Sequence, residues 1–167
     1  MKIKEIRIKG FKKFKELNVE FNDDVSVIVG ENESGKSSLL VALDIVLNQS
    51  IFNRSDSSFD RYLNKEEVQD FFDNPSKDTL PRIEIEVFLD FGNSLKASEF
   101  SGLHYDNPKN NECRCGIKFE YSLDMDFLND VNFSEFAQNN VVPIEYYRSS
   151  WTTFQGKSYK RQLLSGD

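Results

Sequence analysis

A mixed α/β fold organised around a phosphate-binding loop is what this sequence predicts, on three observations. The first is Gly30-Glu31-Asn32-Glu33-Ser34-Gly35-Lys36-Ser37, which satisfies G-x-x-x-x-G-K-[ST]. Four fixed positions of this kind coincide by chance in roughly one chain in two hundred of this length, taking each residue near its average usage. The second is the context: Val25-Ser26-Val27-Ile28-Val29 reads as a short buried strand before the loop. Residues 39–47, from Leu39 to Leu47, read as a buried helix of about three turns after it. The third is a pair of alternating segments ahead of the motif, which predicts an antiparallel ribbon before the nucleotide strand.

The residue types in the loop fit the chemistry of a bound triphosphate. Gly30 and Gly35 allow backbone angles and close approach that a side chain would block. Amides of Glu31, Asn32, Glu33 and Ser34 and of the helix start would then surround the phosphates. Lys36 is suited to the outer phosphates as a point charge, and the Ser37 hydroxyl to one Mg²⁺ position. ATP and Mg²⁺ are the cofactors expected.

Elements follow in order. Residues 2–9 read as a strand with Ile6 and Ile8 on its apolar face, and Gly10-Phe11-Lys12-Lys13-Phe14 as a turn. Leu17, Val19 and Phe21 alternate with Asn18, Glu20 and Asn22 as a second strand, closed by Asn22-Asp23-Asp24. Residues 48–62 are polar and read as a loop. Asn64 followed by Glu67 forms a capping-box pattern that starts a helix over 65–73, with Val68, Phe71 and Phe72 inward. Ile83, Ile85, Val87, Leu89 and Phe91 alternate with Arg82, Glu84, Glu86, Phe88 and Asp90, a half-buried strand. A short helix fits 94–100, and the asparagine-rich stretch 104–111 reads as a loop. Cys115, Ile117, Phe119, Tyr121 and Leu123 form the inward face of another strand, and 133–139 holds one or two helical turns. Residues 141–147 read as a last extended segment, whose Pro143 suits an edge.

Composition narrows the class. The chain has 167 residues, 38% hydrophobic and 29% charged, enough for one domain with a core. No apolar run approaches the length of a bilayer span, and Met1-Lys2-Ile3-Lys4-Glu5 has no signal h-region, so a cytoplasmic protein without a membrane partner is expected. Cys113 and Cys115 with the single His104 are too few for a zinc site, and read as reduced cysteines and a surface histidine. The net charge of −7 argues against the whole chain enclosing nucleic acid. Yet residues 2–15 carry Lys2, Lys4, Arg7, Lys9, Lys12, Lys13 and Lys15 against Glu5 alone. A DNA surface would therefore involve this ribbon or the basic tail; the bland reading is the solvated face of a strand.

Two residues have competing readings. Val87-Phe88-Leu89-Asp90 has the form of an apolar run ending on a Mg²⁺-binding aspartate. However, its charged alternate face indicates an antiparallel strand, and Phe91 stands where a water-positioning acid would be expected. Trp151, between serines and threonines, reads as a core or interface anchor rather than a base-stacking platform.

The N-terminal I-K-x-I-x-I-K-G-F-K-x-F ribbon, the second strand and G-E-N-E-S-G-K-S-S-L-L resemble the ATPase head shared by RecF, the SMC proteins and the OLD-family nucleases. Asn32 and the doubled Ser37-Ser38 fit that group. The segment Pro143-Ile144-Glu145-Tyr146-Tyr147-Arg148, followed by Trp151 and Phe154, is similar to OLD-family ATPases, including Gabija-type antiphage nucleases. The resemblance implies a P-loop NTPase of ABC-ATPase head type, with an antiparallel β ribbon packed on a partial nucleotide-binding core. It implies ATP held between two copies, so a homodimer or higher oligomer, with Ser38 on the α-phosphate side and the ribbon turn near the nucleotide. It also implies an Mg²⁺-sensing glutamine, for which Gln155 and Gln162 stand in the right order along the chain.

The same resemblance implies an Asp-Glu pair, a switch histidine and a signature Ser-Gly before a helix. None is found here; Leu164-Ser165-Gly166 has no helix after it. The chain 1–167 is thus expected to be the N-terminal lobe of an ABC-type ATPase domain, without the C-terminal lobe and without any Toprim nuclease domain. The function implied is ATP binding, and hydrolysis in the complete protein, coupled to DNA processing as in an OLD-family endonuclease. The alternatives are a RecF- or SMC-like repair or chromosome-maintenance head and a non-catalytic nucleotide-sensing dimerisation module.

Overall fold

The computed structural model describes residues 1–22, 26, 35–49, 59–102 and 114–160. The strand expected at 25–29, the loop residues Gly30 to Ser34, His104, Cys113, Gln162 and Leu164-Ser165-Gly166 lie outside them. In chain order the elements are β1 (Lys2–Phe11), β2 (Phe14–Glu20), α1 (Lys36–Asn48), α2 (Lys65–Asp73), β3 (Ile83–Asp90), α3 (Ala97–Phe100), β4 (Ser101–Gly102), β5 (Arg114–Leu123), α4 (Phe133–Gln138) and β6 (Tyr147–Thr153). Short 3₁₀ turns lie at Asp60–Tyr62, Met125–Phe127 and Ile144–Tyr146.

Among the described residues the strands form one antiparallel sheet in the order β2-β1-β3-β5-β4, with β6 also pairing β5. Alternation in the sequence sets its two faces. Leu17, Ile8, Ile85, Phe119 and Trp151 align as one row across five strands, and Val19, Ile6, Val87, Ile117 and Thr153 as the next. This apolar face meets the stripe Leu39, Ala42, Ile45 and Val46 of α1. The helix is amphipathic rather than buried all round as its composition suggested: Leu40 is 58% exposed and Asp44 faces out.

Strand β6 and the segment after it meet the C-terminus of α1. The last four carbonyls of a helix lack partners within it. Here the Trp151 indole N–H donates to the Ile45 carbonyl at 2.9 Å, and the Tyr159 hydroxyl to the Leu47 carbonyl at 2.8 Å. Gln49 follows in the left-handed region and its amide donates to the Tyr159 carbonyl at 3.1 Å. Trp151 is therefore a core anchor.

The opposite face of the sheet is charged and laced. Arg82 and Lys118 both pair with Glu84, at 2.9 and 3.2 Å, and Lys118 also pairs with Glu120 at 3.2 Å. At its centre Glu5 is only 6% exposed, held by Arg7 and by Arg114, the latter at 2.9 Å. Both guanidinium groups lie over the Phe88 ring, at 4.8 and 5.1 Å. Phe154 covers the same ring edge-on, at 4.9 Å. Its seat depends on Gly116, where a Cβ would come within 2.4 Å of the Phe154 ring. Burial alone would raise the Glu5 carboxyl, but the hydrogen bonds and charges of the two arginines outweigh it and hold the group below its ordinary range.

Several expectations are corrected. The ribbon turn is only Lys12-Lys13, because Gly10 and Phe11 still pair within β1. Asn64 does cap α2, accepting from the amides of Glu66 and Glu67 at 3.0 and 3.1 Å. The reciprocal half of the capping box is absent, since the Asn64 amide donates to the Gly10 carbonyl at 2.9 Å. Glu67 instead accepts from the Arg82 backbone, and its burial raises its pKa despite that bond. The last strand is not 141–147 but Tyr147–Thr153, preceded by a 3₁₀ turn closed from the Tyr146 amide to the Pro143 carbonyl at 3.1 Å. Its serines and threonines, Ser149, Ser150, Thr152 and Thr153, flank Trp151 and hid the alternation. By contrast, β3 is antiparallel to both neighbours as its charges imply, and Asp90 receives the Gly92 amide at 2.7 Å and pairs with Lys4 at 3.7 Å.

Replacing Tyr159 by Phe leaves the Leu47 carbonyl without its donor and is expected to lower stability by about 1–2 kcal/mol, read by urea unfolding. Unchanged stability would show that water replaces the bond. For Glu5→Gln the native pKa is the lowered one, so the charge contributes above the ordinary value of 4.5. The stability advantage of the native chain over this variant is expected to be full at neutral pH and to vanish as pH falls through the lowered native value.

Candidate functional site: the start of the phosphate-loop helix

The site begins where the loop ends, at Gly35, Lys36, Ser37 and Ser38. Gly35 is the N-cap of α1 with φ +94°, a left-handed angle that favours glycine. The first rung of the helix runs from the Leu39 amide to the Gly35 carbonyl at 2.9 Å, so the preceding amides belong to no rung. Its N-cap is a glycine, so among the described residues no side chain caps this end, and its first turn holds no acidic residue. The other long elements differ: α2 and α4 are capped by Asn64 and Asn132, and each has an acidic residue in its first turn. Lys36 and Ser38 are half-buried while the Ser37 hydroxyl side is exposed. An uncapped helix start carrying the dipole's positive end, a lysine and an exposed serine is suited to a phosphate with its Mg²⁺.

The ribbon turn closes one side of this start. A Cβ built on Gly35 would lie 2.5 Å from the Lys13 Cε and 2.5 Å from the Phe14 ring. Three bonds hold the turn there. The Lys12 amide donates to the Tyr62 carbonyl at 2.6 Å, the Asn64 side-chain amide to the Lys12 carbonyl at 2.9 Å, and Lys15 pairs with Asp70 at 3.0 Å. Lys12 itself adopts φ 51° and its ammonium lies over the Tyr62 ring at 5.2 Å. Asn64, buried at 3% exposure, thus joins the cap of α2 to the turn that meets Gly35.

Of the residues expected at the site, the structure brings Gly35, Lys36, Ser37 and Ser38 together at one helix start, beside Lys13 and Phe14. Gln155 lies elsewhere in the chain's path, exposed in the Phe154–Gly156 turn after β6. That turn is closed by the Gly156 amide on the Thr153 carbonyl at 2.8 Å. Among the described residues no group of His, Cys, Asp and Glu is placed to hold a metal, and Cys115 rests its thiol on the Ala97 carbonyl at 3.5 Å. No helix among them is long and apolar enough to cross a membrane. The role of Asn64 was not legible in the sequence, where it reads as a helix cap and nothing more.

Gly35→Ala is expected to lower stability by about 1–3 kcal/mol, from the left-handed angle and the crowded turn together. Combined with Phe14→Ala it is expected to cost less than the sum of the two changes, because removing the ring makes room for the new methyl. Strict additivity in urea unfolding would show that the turn does not press on Gly35.

Comparison with known proteins accords with this geometry. DNA replication and repair protein RecF of Bacillus cytotoxicus is 41% identical over 46 residues, 28% of this chain and 12% of RecF. The structural maintenance of chromosomes protein 3 homolog of Plasmodium falciparum is 45% identical over 49 residues, 29% of this chain and 4% of that protein. The chain thus spans a small part of the curated relatives it matches. A solved chain from work on ATP-driven dimerisation and DNA-stimulated activation of SMC ATPases shares the fold, with a TM-score of 0.51 at 18% identity, over 98% of this chain and 75% of that one. A sequence profile of the AAA ATPase domain matches residues 1–163. The chain belongs to the AAA ATPase domain family and has a P-loop fold of the ABC type found in SMC ATPase heads.

Proposed function

We propose that this chain binds ATP with Mg²⁺ through residues 30–38, and that in the complete protein it couples ATP hydrolysis to DNA processing as a RecF- or SMC-like head. The observation that carries the proposal is the start of α1 at Gly35, uncapped by any side chain among the described residues and followed by Lys36 and Ser37. Gly30, Glu31, Asn32, Glu33 and Ser34 would supply the loop amides, Lys36 the charge on the outer phosphates, Ser37 the Mg²⁺ ligand and Ser38 the α-phosphate contact. Gln155 is proposed as the Mg²⁺-sensing glutamine. The position of Lys13 beside Gly35 supports a nucleotide role for the ribbon turn over a purely DNA-facing one. ATP is proposed to join two such heads, as in the ATP-driven dimerisation described for the SMC ATPases of the similar solved chain.

A narrower assignment, the ATPase of an OLD-type endonuclease acting in antiphage defence, is supported by the similarity of residues 143–154 to that family. It requires a Toprim domain in the parent protein. Should the bound nucleotide not turn over, the same loop would serve a sensing and dimerisation role.

ATP–Mg²⁺ is expected to raise the melting temperature of the chain, growing with concentration as a ligand that binds only the folded state, about 2.7 kcal/mol at a hundredfold excess over Kd. Lys36→Ala is expected to abolish the shift. On the same samples, ATP–Mg²⁺ should tighten binding of a labelled DNA duplex by the native chain and not by Lys36→Ala. Equal thermal shifts in both proteins would refute nucleotide binding by this loop, and nucleotide-independent DNA binding would refute the coupling.

A further inference from the structure

A second surface lies around the 3₁₀ turn Met125–Phe127 and the end of α4. Met125, Phe127 and Val141 are 54, 44 and 46% exposed. They are not scattered. The Phe127 ring meets Tyr146 at 5.7 Å, Phe136 meets Tyr146 edge-on at 6.3 Å, and the Val141 amide donates to the Phe136 carbonyl at 3.0 Å. Met125 continues the same surface into a cleft of about 850 Å³, whose near wall also holds Leu80, Leu123 and Tyr147. Exposed Met125, Phe127 and Val141 around the half-buried rings of Phe136 and Tyr146, beside a cleft, mark an interaction surface.

Its charge specifies the occupant. Residues 119–147 contain Glu120, Asp124, Asp126, Asp130, Glu135 and Glu145, and no Lys, Arg or His. Asp124 is paired with Arg148 at 3.3 Å. Asp126, Asp130, Glu135 and Glu145 are exposed and, among the described residues, none has a cationic partner. A rim of four carboxylates around an apolar patch repels nucleic acid and acidic surfaces. It attracts a segment that presents apolar anchors flanked by lysine or arginine. The cleft wall itself is of mixed sign, with Lys9 and Lys77 beside Lys15 and Arg82, which pair with Asp70 and Glu84; the charge that selects the occupant is that of the acidic rim around Phe127.

We infer that this surface binds a basic amphipathic segment of a partner protein, with Phe127 and Met125 as its apolar contacts and Asp126, Asp130 and Glu135 as its charge contacts. None of these contact residues belongs to the nucleotide-binding set proposed above. The partner's anchors would sit against Phe127 and Tyr146, and its cations along the α4 rim. Such a segment differs from a DNA ligand in sign, so the two would approach the chain from different sides.

The test uses a fluorescein-labelled Lys/Leu peptide of about fourteen residues, long enough for four helical turns with leucines on one face. Its anisotropy is titrated with the chain, beside a peptide of the same composition with the leucines spread around the helix. The amphipathic peptide is expected to bind roughly tenfold more tightly than the scrambled one. Phe127→Ser with Met125→Ser should weaken it roughly tenfold. Asp126→Asn, Asp130→Asn and Glu135→Gln together should weaken it several-fold and reduce its salt dependence. All these positions are exposed, so unchanged melting temperatures are expected and are checked for each variant. Equal affinity of the two peptides, or native affinity in both variants, overturns the inference. So does sedimentation showing that the native chain dimerises and the Phe127→Ser, Met125→Ser variant does not, which would make a second copy the occupant.

Discussion

Two hydrogen bonds from aromatic side chains to the end of α1 hold the molecule together. The indole of Trp151 and the hydroxyl of Tyr159 take the Ile45 and Leu47 carbonyls, more than a hundred residues earlier in the chain. A helix end buried without partners would carry a desolvation cost of a few kcal/mol. Meeting it with side chains from β6 and the segment after it fixes the helix axially on the sheet. The opposite end of the same helix is then presented at a set height, beside the ribbon turn, without a side chain closing it. One end of α1 is satisfied by side chains from β6 and beyond, and the other starts at Gly35 beside the ribbon turn.

The contrast among helices makes the point chemically. The starts of α2 and α4 are satisfied by asparagine caps, whereas α1 starts at Gly35, whose left-handed angle and crowded Cβ position leave no room for a capping side chain. Asn64 carries a second duty by gripping the Lys12 carbonyl. The turn that faces Gly35 is therefore held by backbone and cap geometry and not by its own lysine charges. The Lys15–Asp70 pair, exposed on both sides, adds little to that grip.

Much of this was legible in the sequence and some was not. Period-two alternation located β1, β2, β3 and β5, and a capping asparagine with Glu67 located α2, because local pattern and final structure agree there. The end of β1 was misjudged because Gly10 and Phe11 look like turn residues, yet Gly10 accepts from Asn64 across the molecule. The final strand was shifted because polar Ser149, Ser150, Thr152 and Thr153 gave no contrast with their neighbours, and its position is decided by Trp151 reaching α1. For the candidate site, spacing singles out Gly35, Lys36 and Ser37, and the structure places them together at the start of α1. The grip of Asn64 on the ribbon turn was not, since no short-range pattern reports a bond to the Lys12 carbonyl spanning 52 residues.

The buried Glu5 has a consequence for how the sheet finds its pairing. A strand of period two that slips by one residue exchanges its faces. For β1 such a slip would drive Glu5, Arg7 and Lys9 against the α1 side, among Val87 and Ile85, and leave Ile6 and Ile8 in water. The two arginines stacked on Phe88 supply the other half of the discrimination, because only the native alignment sets Glu5 opposite Phe88 and within reach of Arg114. The cluster therefore acts as an alignment key for an N-terminal strand whose neighbour is made some eighty residues later. Misaligned pairings are penalised by a stranded carboxylate before the hydrophobic rows can close around them.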